Sequence, residues 1–180
     1  MPDLFNDVGA PRPRVLMSLH AEYYDLIMAG DKVYEYRKRY PTTSASTWYV
    51  YLTAPTSTLI AVIDLDAPIT GSPDEIAELA ERARPGNGAP VRNYLAPAGH
   101  GVALPIRRVR EYPGLTATEI SEALGKWHPP QGQMLIDRHP RLAKLCDELT
   151  TAQTVRERHL QPEASAARPQ RRCVRNTLLL

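Results

Sequence analysis

The chain has 180 residues, the size of one domain or of one domain with a tail. Hydrophobic residues make up 43% and charged residues 23%, enough to bury a core, and no apolar run approaches the ~20 residues that carry a helix across a bilayer. The two cysteines, Cys146 and Cys173, show no Cys-x-x-Cys spacing, which excludes a disulfide scaffold and a cysteine-ligated zinc site. Residues 1–14 contain no apolar stretch of the kind a secretory leader needs, so a reduced, cytoplasmic setting is expected.

The formal charge of +2 hides an asymmetry. Residues 1–149 hold 16 Lys/Arg against 18 Asp/Glu, whereas residues 150–180 hold six Arg against two Glu. The chain is therefore divided into an N-terminal loop (1–14), a near-neutral domain (15–149) and a basic C-terminal tail (150–180). Such a tail can bind phosphate by releasing counterions, or simply remain solvated. The closing Leu178-Leu179-Leu180 is too short to anchor in a membrane.

In chain order, Val15 to Leu19 reads as a short buried strand, and a helix follows from His20 with Tyr23, Leu26 and Ile27 on one face. Gly30 is its expected stop, where a left-handed residue costs least. Strands are expected at 33–39, 48–52 and 58–66. Ser72-Pro73-Asp74-Glu75 opens a helix through a capping box, with Ile76, Leu79, Ala80 and Ala83 inward. Residues 85–97 read as irregular, and 101–112 as strand. Thr116 to Glu119 is a second capping box on a short helix closed by Gly125. Pro129-Pro130-Gln131 is a rigid loop, 134–136 a strand, and 141–149 a helix with Leu142, Leu145 and Leu149 inward. Short strands interleaved with helices predict an α+β fold, a small mixed β-barrel with helices packed at its ends.

Chemistry concentrates between positions 30 and 39. Strand alternation places Glu35, Arg37 and Arg39 on one face, with Tyr34, Tyr36 and Lys38 on the other, and Lys32 stands at the strand mouth. Tyrosines pack well in a core, so the Glu35/Arg37 face is expected to line a cleft. The plain alternative is an ion pair on an exposed edge. Eight of the eleven Tyr and Trp residues lie between positions 23 and 51. Aromatics beside basic residues suit a surface that stacks bases and neutralises phosphate, yet a chain with a single Phe must also build its core from them. The five histidines lack zinc-ligand spacing, and no Gly-x-Ser-x-Gly elbow or phosphate-binding loop is present. No metal or cofactor is expected.

Ser18-Leu19-His20-Ala21-Glu22-Tyr23, followed by Gly30-x-Lys32-x-x-Glu35-x-Arg37, resembles the opening of ASCH domains of the PUA-like superfamily. Val50 to Pro55 with the strand at 60–63, then Val102 to Ile106 and Pro129-Pro130-Gln131, resemble its later landmarks. The resemblance covers residues 15–149. It implies a PUA-like barrel whose cleft takes RNA, single-stranded nucleic acid or a modified nucleoside. Some members are 4-acetylcytidine amidohydrolases with a Lys-x-x-Thr pair, and a few are reported as ribonucleases. Here the position after Lys32 that would carry Thr is Glu35, a poor amidase nucleophile but a possible general base.

Three readings follow. The first is a nucleic-acid-binding domain using Lys32, Glu35, Arg37 and Arg39, with Tyr34, Tyr36 or Trp48 stacking a base. The second is a hydrolase in which Lys32 and Glu35 form the acid–base pair. The third is a regulatory, protein-interaction domain.

Overall fold

The structure, a computed structural model, describes residues 11–162. Expectations for the lead before residue 11, and for Cys173, Arg168, Arg171, Arg172, Arg175 and the terminal leucines, lie outside the described residues. The first strand, β1 (Arg14–Leu19), leads into helix α1 (Ala21–Ala29) and strand β2 (Tyr34–Arg37). Strands β3 (Ser46–Leu52), β4 (Thr58–Leu65) and β5 (Ile69–Gly71) follow, then helices α2 (Pro73–Ala83) and α3 (Gly88–Leu95). The long strand β6 (Gly101–Thr116) precedes α4 (Ala117–Leu124), β7 (Gln133–Leu135), α5 (Pro140–Thr151) and β8 (Arg156–His159).

One mixed sheet runs β2-β6-β4-β3-β1-β7, and β5 and β8 pair with β6 as well. Among the described residues, only β1 and β3 are parallel; the remaining pairs are antiparallel. β6 is the spine: its first residues pair with β2 and β5, its later ones with β4 and β8. Irregularities in the β4–β6 register at Leu59/Ala61 and Asp64/Leu65 bend and twist the strands, so the sheet curls into a half-barrel. The two terminal strands of the order, β2 and β7, do not pair. A gap therefore remains in the wall.

Strands buried on both faces read as apolar runs rather than alternations. In β3, Trp48, Val50 and Leu52 point inward with Val15, Met17, Ile63 and Leu104. Tyr49 and Tyr51 point outward, under α4 and α5, with Leu16, Ile120, Leu142 and Cys146. A third cluster joins Tyr34 and Tyr36 of β2 to Ile76, Leu79, Val91 and Leu95 of α2 and α3. Both capping boxes form as expected, with Ser72 and Thr116 accepting from the backbone of Glu75 and Glu119.

Four local expectations need correction. α1 buries Tyr24 and Ile27 and leaves Tyr23 exposed, because the Tyr24 hydroxyl reaches inward to donate to Glu111 at 2.8 Å. β2 stops at Arg37 instead of 39, since its partner β6 begins only at Gly101. Residues 88–95, read as irregular, form α3: Pro90 sits in the first turn, where a missing N–H is harmless, and Val91 and Leu95 supply an i, i+4 buried pair. Finally, the chain does not leave the fold at residue 149. α5 continues to Thr151, and β8 returns to pair with β6 from Arg108↔His159 to Glu111↔Arg156. Leu160 then buries its side chain in the inner cluster, which stabilises this attachment by roughly 1.5–3 kcal/mol.

A candidate nucleic-acid interface at the gap in the half-barrel

The gap between the sheet ends opens into a cleft of about 370 Å³. Its position follows from local chain chemistry. α1 terminates at Gly30, whose φ of +88° lies in the left-handed region that favours glycine. Asp31 and Lys32 then donate their backbone N–H groups to Leu26 O at 2.9 and 3.1 Å, so the loop doubles back tightly. This turn delivers Lys32 to the mouth of β2.

Glu35 is the floor. Its two carboxylate oxygens are divided between two cations: Lys32 Nζ lies 3.1 Å from Oε2 and Arg37 Nη2 lies 3.0 Å from Oε1. The side chains are 16% (Lys32), 10% (Glu35) and 21% (Arg37) exposed, so the triad is sunk into the cleft without being sealed. Two cations on one carboxylate leave a local charge of +1. A buried carboxylate is costly unless paired, and removal of one partner typically costs about 3–5 kcal/mol in a fully buried site, less where solvent screens. Arg37 Nη2 also donates to Met17 Sδ at 3.1 Å, tying β2 to β1 across the gap, while Arg37 Nε is buried with no hydrogen-bond partner.

Aromatic rings border the triad. Lys32 Nζ stands 5.7 Å from the ring centre of Tyr23 and 5.4 Å from that of Tyr36, within cation–π range. Tyr36 is buried in the wall; desolvation, with smaller contributions from Tyr34 and Glu35, pushes its hydroxyl well above the ordinary range, so it remains neutral. Tyr23 and Tyr94, each 43% exposed, stand at the rim. Across from β2, α3 contributes Tyr94, and Asn87 stands just before its first turn; at the side, Gly132 accepts from Ser18 N at 3.0 Å, and the Ser18 hydroxyl donates to Pro130 O at 2.6 Å.

Of the residues expected to form a site, Lys32, Glu35, Tyr36 and Arg37 meet in this cleft. Arg39 lies on a neighbouring surface, because β2 ends before the alternation reaches it. Tyr34 faces α2 and α3 with 1% exposure, on the wall of a smaller adjoining cavity. Trp48 is fully buried in the inner core, where its Nε1 donates to the Tyr40 hydroxyl at 2.6 Å, and it has no face to offer a base. The residues missed are Tyr94 and Asn87, hidden in a segment read as irregular, and Tyr23, assigned to the core face. Among the described residues, no group of His, Cys, Asp and Glu has the arrangement of a metal site. Arg107, Arg108 and Arg110 are each paired with a carboxylate, of Asp66, Glu157 and Asp64 respectively.

The strand, tight glycine turn, lysine and charged strand occur in the order found in ASCH domains, and the ASCH domain family model covers the segment that holds them. Residues 17–94 match the ASCH domain. Crystal structures of an ASCH protein from Zymomonas mobilis superpose with a TM-score of 0.64 at 22% identity, covering 76% of this chain and 95% of that one. A serine-to-alanine mutant of the same protein matches equally, covering 96% of that chain, and a tyrosine-to-phenylalanine mutant matches at 21% identity and 98%. No curated protein matches the chain. At this identity the likeness to the solved structures is one of fold, and that fold is PUA-like, as the sequence resemblance implies. The ASCH match ends at residue 94, before β6, so the spine of the sheet is supported by the structural likeness rather than by the family match.

Proposed function

We propose that the cleft binds a nucleobase, either of single-stranded RNA or of a modified nucleoside. The observation that carries this reading is the Lys32–Glu35–Arg37 triad at the base of an aromatic-rimmed cavity of about 370 Å³, within the usual size of ligand pockets. Each carboxylate oxygen of Glu35 keeps a lone pair beyond its cation, so it can accept from an exocyclic amine. Lys32 and Arg37 donate to a base carbonyl or to phosphate, and the surplus positive charge favours an anionic ligand. Tyr23 and Tyr94, each 43% exposed, offer ring surface for stacking beside the lysines that lie over them, and a stacked base contributes about 1–3 kcal/mol.

The hydrolase reading draws on the same Lys32–Glu35 pair. It is less well supported, because the amidohydrolases that the sequence resembles carry a Thr hydroxyl where this chain has Glu35. Position 35 supplies a carboxylate held by two cations, and the serine hydroxyl of the cleft, Ser18, is committed to Pro130 O.

Fluorescence titration with short labelled RNAs at low salt tests the binding reading. Tyr23→Ala and Tyr94→Ala remove exposed rings and leave the core alone, so each is expected to weaken binding at least several-fold with an unchanged thermal midpoint. Wild-type protein that fails to bind, or variants that bind as wild type does, refutes it. Mass analysis after incubation with acylated cytidines and RNA tests the second reading; turnover above that of Lys32→Ala protein supports it.

A further inference from the structure

The cleft does not end at Arg37. A second cavity of about 430 Å³ adjoins it, and Arg37, Tyr94 and Gly132 line both. The second is completed chiefly by Lys38, Arg39 and Gln133, and no acidic residue lines it. Lys38 Nζ stands 4.9 Å from the ring centre of Tyr94, at the junction of the two cavities. Gln133 Nε2 donates to Arg39 O at 3.3 Å, which fixes the backbone after β2 against β7 across the gap. Among the described residues, neither Lys38 nor Arg39 forms an ion pair, in contrast to Arg107, Arg108 and Arg110 of β6. One cavity thus has a carboxylate floor able to read a polar base edge; the charged residues that line its neighbour are all cations.

Building on the reading above, we propose that the two cavities together hold consecutive nucleotides of one single strand. A base sits over Glu35 in the first. Its linking phosphate crosses Arg37, and the following nucleotide lies along Lys38 and Arg39, with Tyr94 as the shared partition. The ligand is therefore a polynucleotide segment and not a free nucleoside. Single strands suit such a path because their backbone can follow a trench and their bases can be splayed onto aromatic rings. Lys38 and Arg39 would act on phosphate, giving affinity with salt dependence and little base preference.

The test compares a labelled RNA hexamer of mixed sequence with an equimolar set of nucleoside monophosphates as competitors, on the full chain. The hexamer is expected to bind at least tenfold more tightly than any monophosphate. The double variant Lys38→Gln/Arg39→Gln should lose several-fold in hexamer affinity. Its slope of log affinity against log salt should fall by about 1.4, roughly 0.7 for each of the two cations removed, and its affinity for monophosphates should be unchanged. A circular dichroism melt checks that the variant is folded. A hexamer that binds no better than a monophosphate, or a double variant with unaltered salt slope, overturns the two-nucleotide path while leaving the base-binding cleft standing. A duplex of the same sequence binding as tightly as the single strand also overturns it. Failure of both hexamer and monophosphates to bind refutes the cleft reading, and this inference with it.

Discussion

Replacing Arg156 by Ala removes the main charge partner of a buried carboxylate. Glu111, on β6, accepts from Arg156 Nε at 3.1 Å, from Arg156 Nη2 at 2.6 Å and from the Tyr24 hydroxyl at 2.8 Å. A bidentate charge-assisted pair to a buried group contributes roughly 1.5–3 kcal/mol. The Arg156 side chain is 56% exposed, so solvent screening reduces the expected loss to about 1–2 kcal/mol at neutral pH. With a urea m-value of about 2 kcal/mol/M, the midpoint should fall by roughly 0.5–1 M, read by the fluorescence of buried Trp48. Burial alone would raise the Glu111 carboxyl, but the hydrogen bonds from Arg156 and Tyr24 outweigh it and hold the group below its ordinary value of 4.5. A carboxyl depressed in the folded state contributes stability that is complete above the unfolded value and disappears as pH falls through the folded one. The difference between wild type and Arg156→Ala should therefore be full at pH 7 and shrink once the pH drops below 4.5. An equal difference at both ends of that range, or none at pH 7, refutes the reasoning.

Gly30→Ala should destabilise by about 1 kcal/mol or more, because φ is +88° and the added Cβ would lie 2.5 Å from Arg158 Nη2, the atom that donates to Ala29 O at the end of α1; a melt within a degree of wild type contradicts this. Burial pushes the Cys146 thiol up to about 12, so iodoacetamide at pH 8 should label its peptide only after addition of urea; rapid native labelling would place it at the surface. Glu81 accepts from Gly86 N at 2.9 Å and Gly88 N at 2.8 Å, and these bonds hold its carboxyl below the usual range. Glu81→Ala should free the start of α3, raising amide exchange from Gly88 to Tyr94; unchanged exchange would show that α3 does not depend on this cap.

Local chemistry made much of this fold readable. The left-handed stop at Gly30, the capping boxes at Ser72 and Thr116, and the apolar runs of β3 and β4 are decided within a few residues of sequence. Strand alternation likewise places Glu35 and Arg37 together, and the glycine turn brings Lys32 to them. What the sequence hid depends on partners far along the chain. β8 is a polar Arg-Glu-Arg-His strand with no apolar alternation; it exists because Glu111, 45 residues earlier, pairs with Arg156, and because Leu160 finds the core. α3 is masked by Gly86, Asn87, Gly88 and Pro90, residues that usually mark loops, and the sequence pattern therefore gives no sign that Tyr94 borders the cleft. Trp48 could not be told from a surface aromatic, since a strand buried on both faces carries no alternation to show which side meets solvent.

Side-chain and backbone NMR of the labelled protein during addition of a short single-stranded RNA tests the central claim most directly. The account predicts that the Arg37 Nε–H signal, the amides from Lys32 to Arg37, and the rings of Tyr23 and Tyr94 shift first and saturate together. Shifts confined to the arginine cluster at 107–110, with the Lys32–Glu35–Arg37 signals unmoved at saturation, would contradict it.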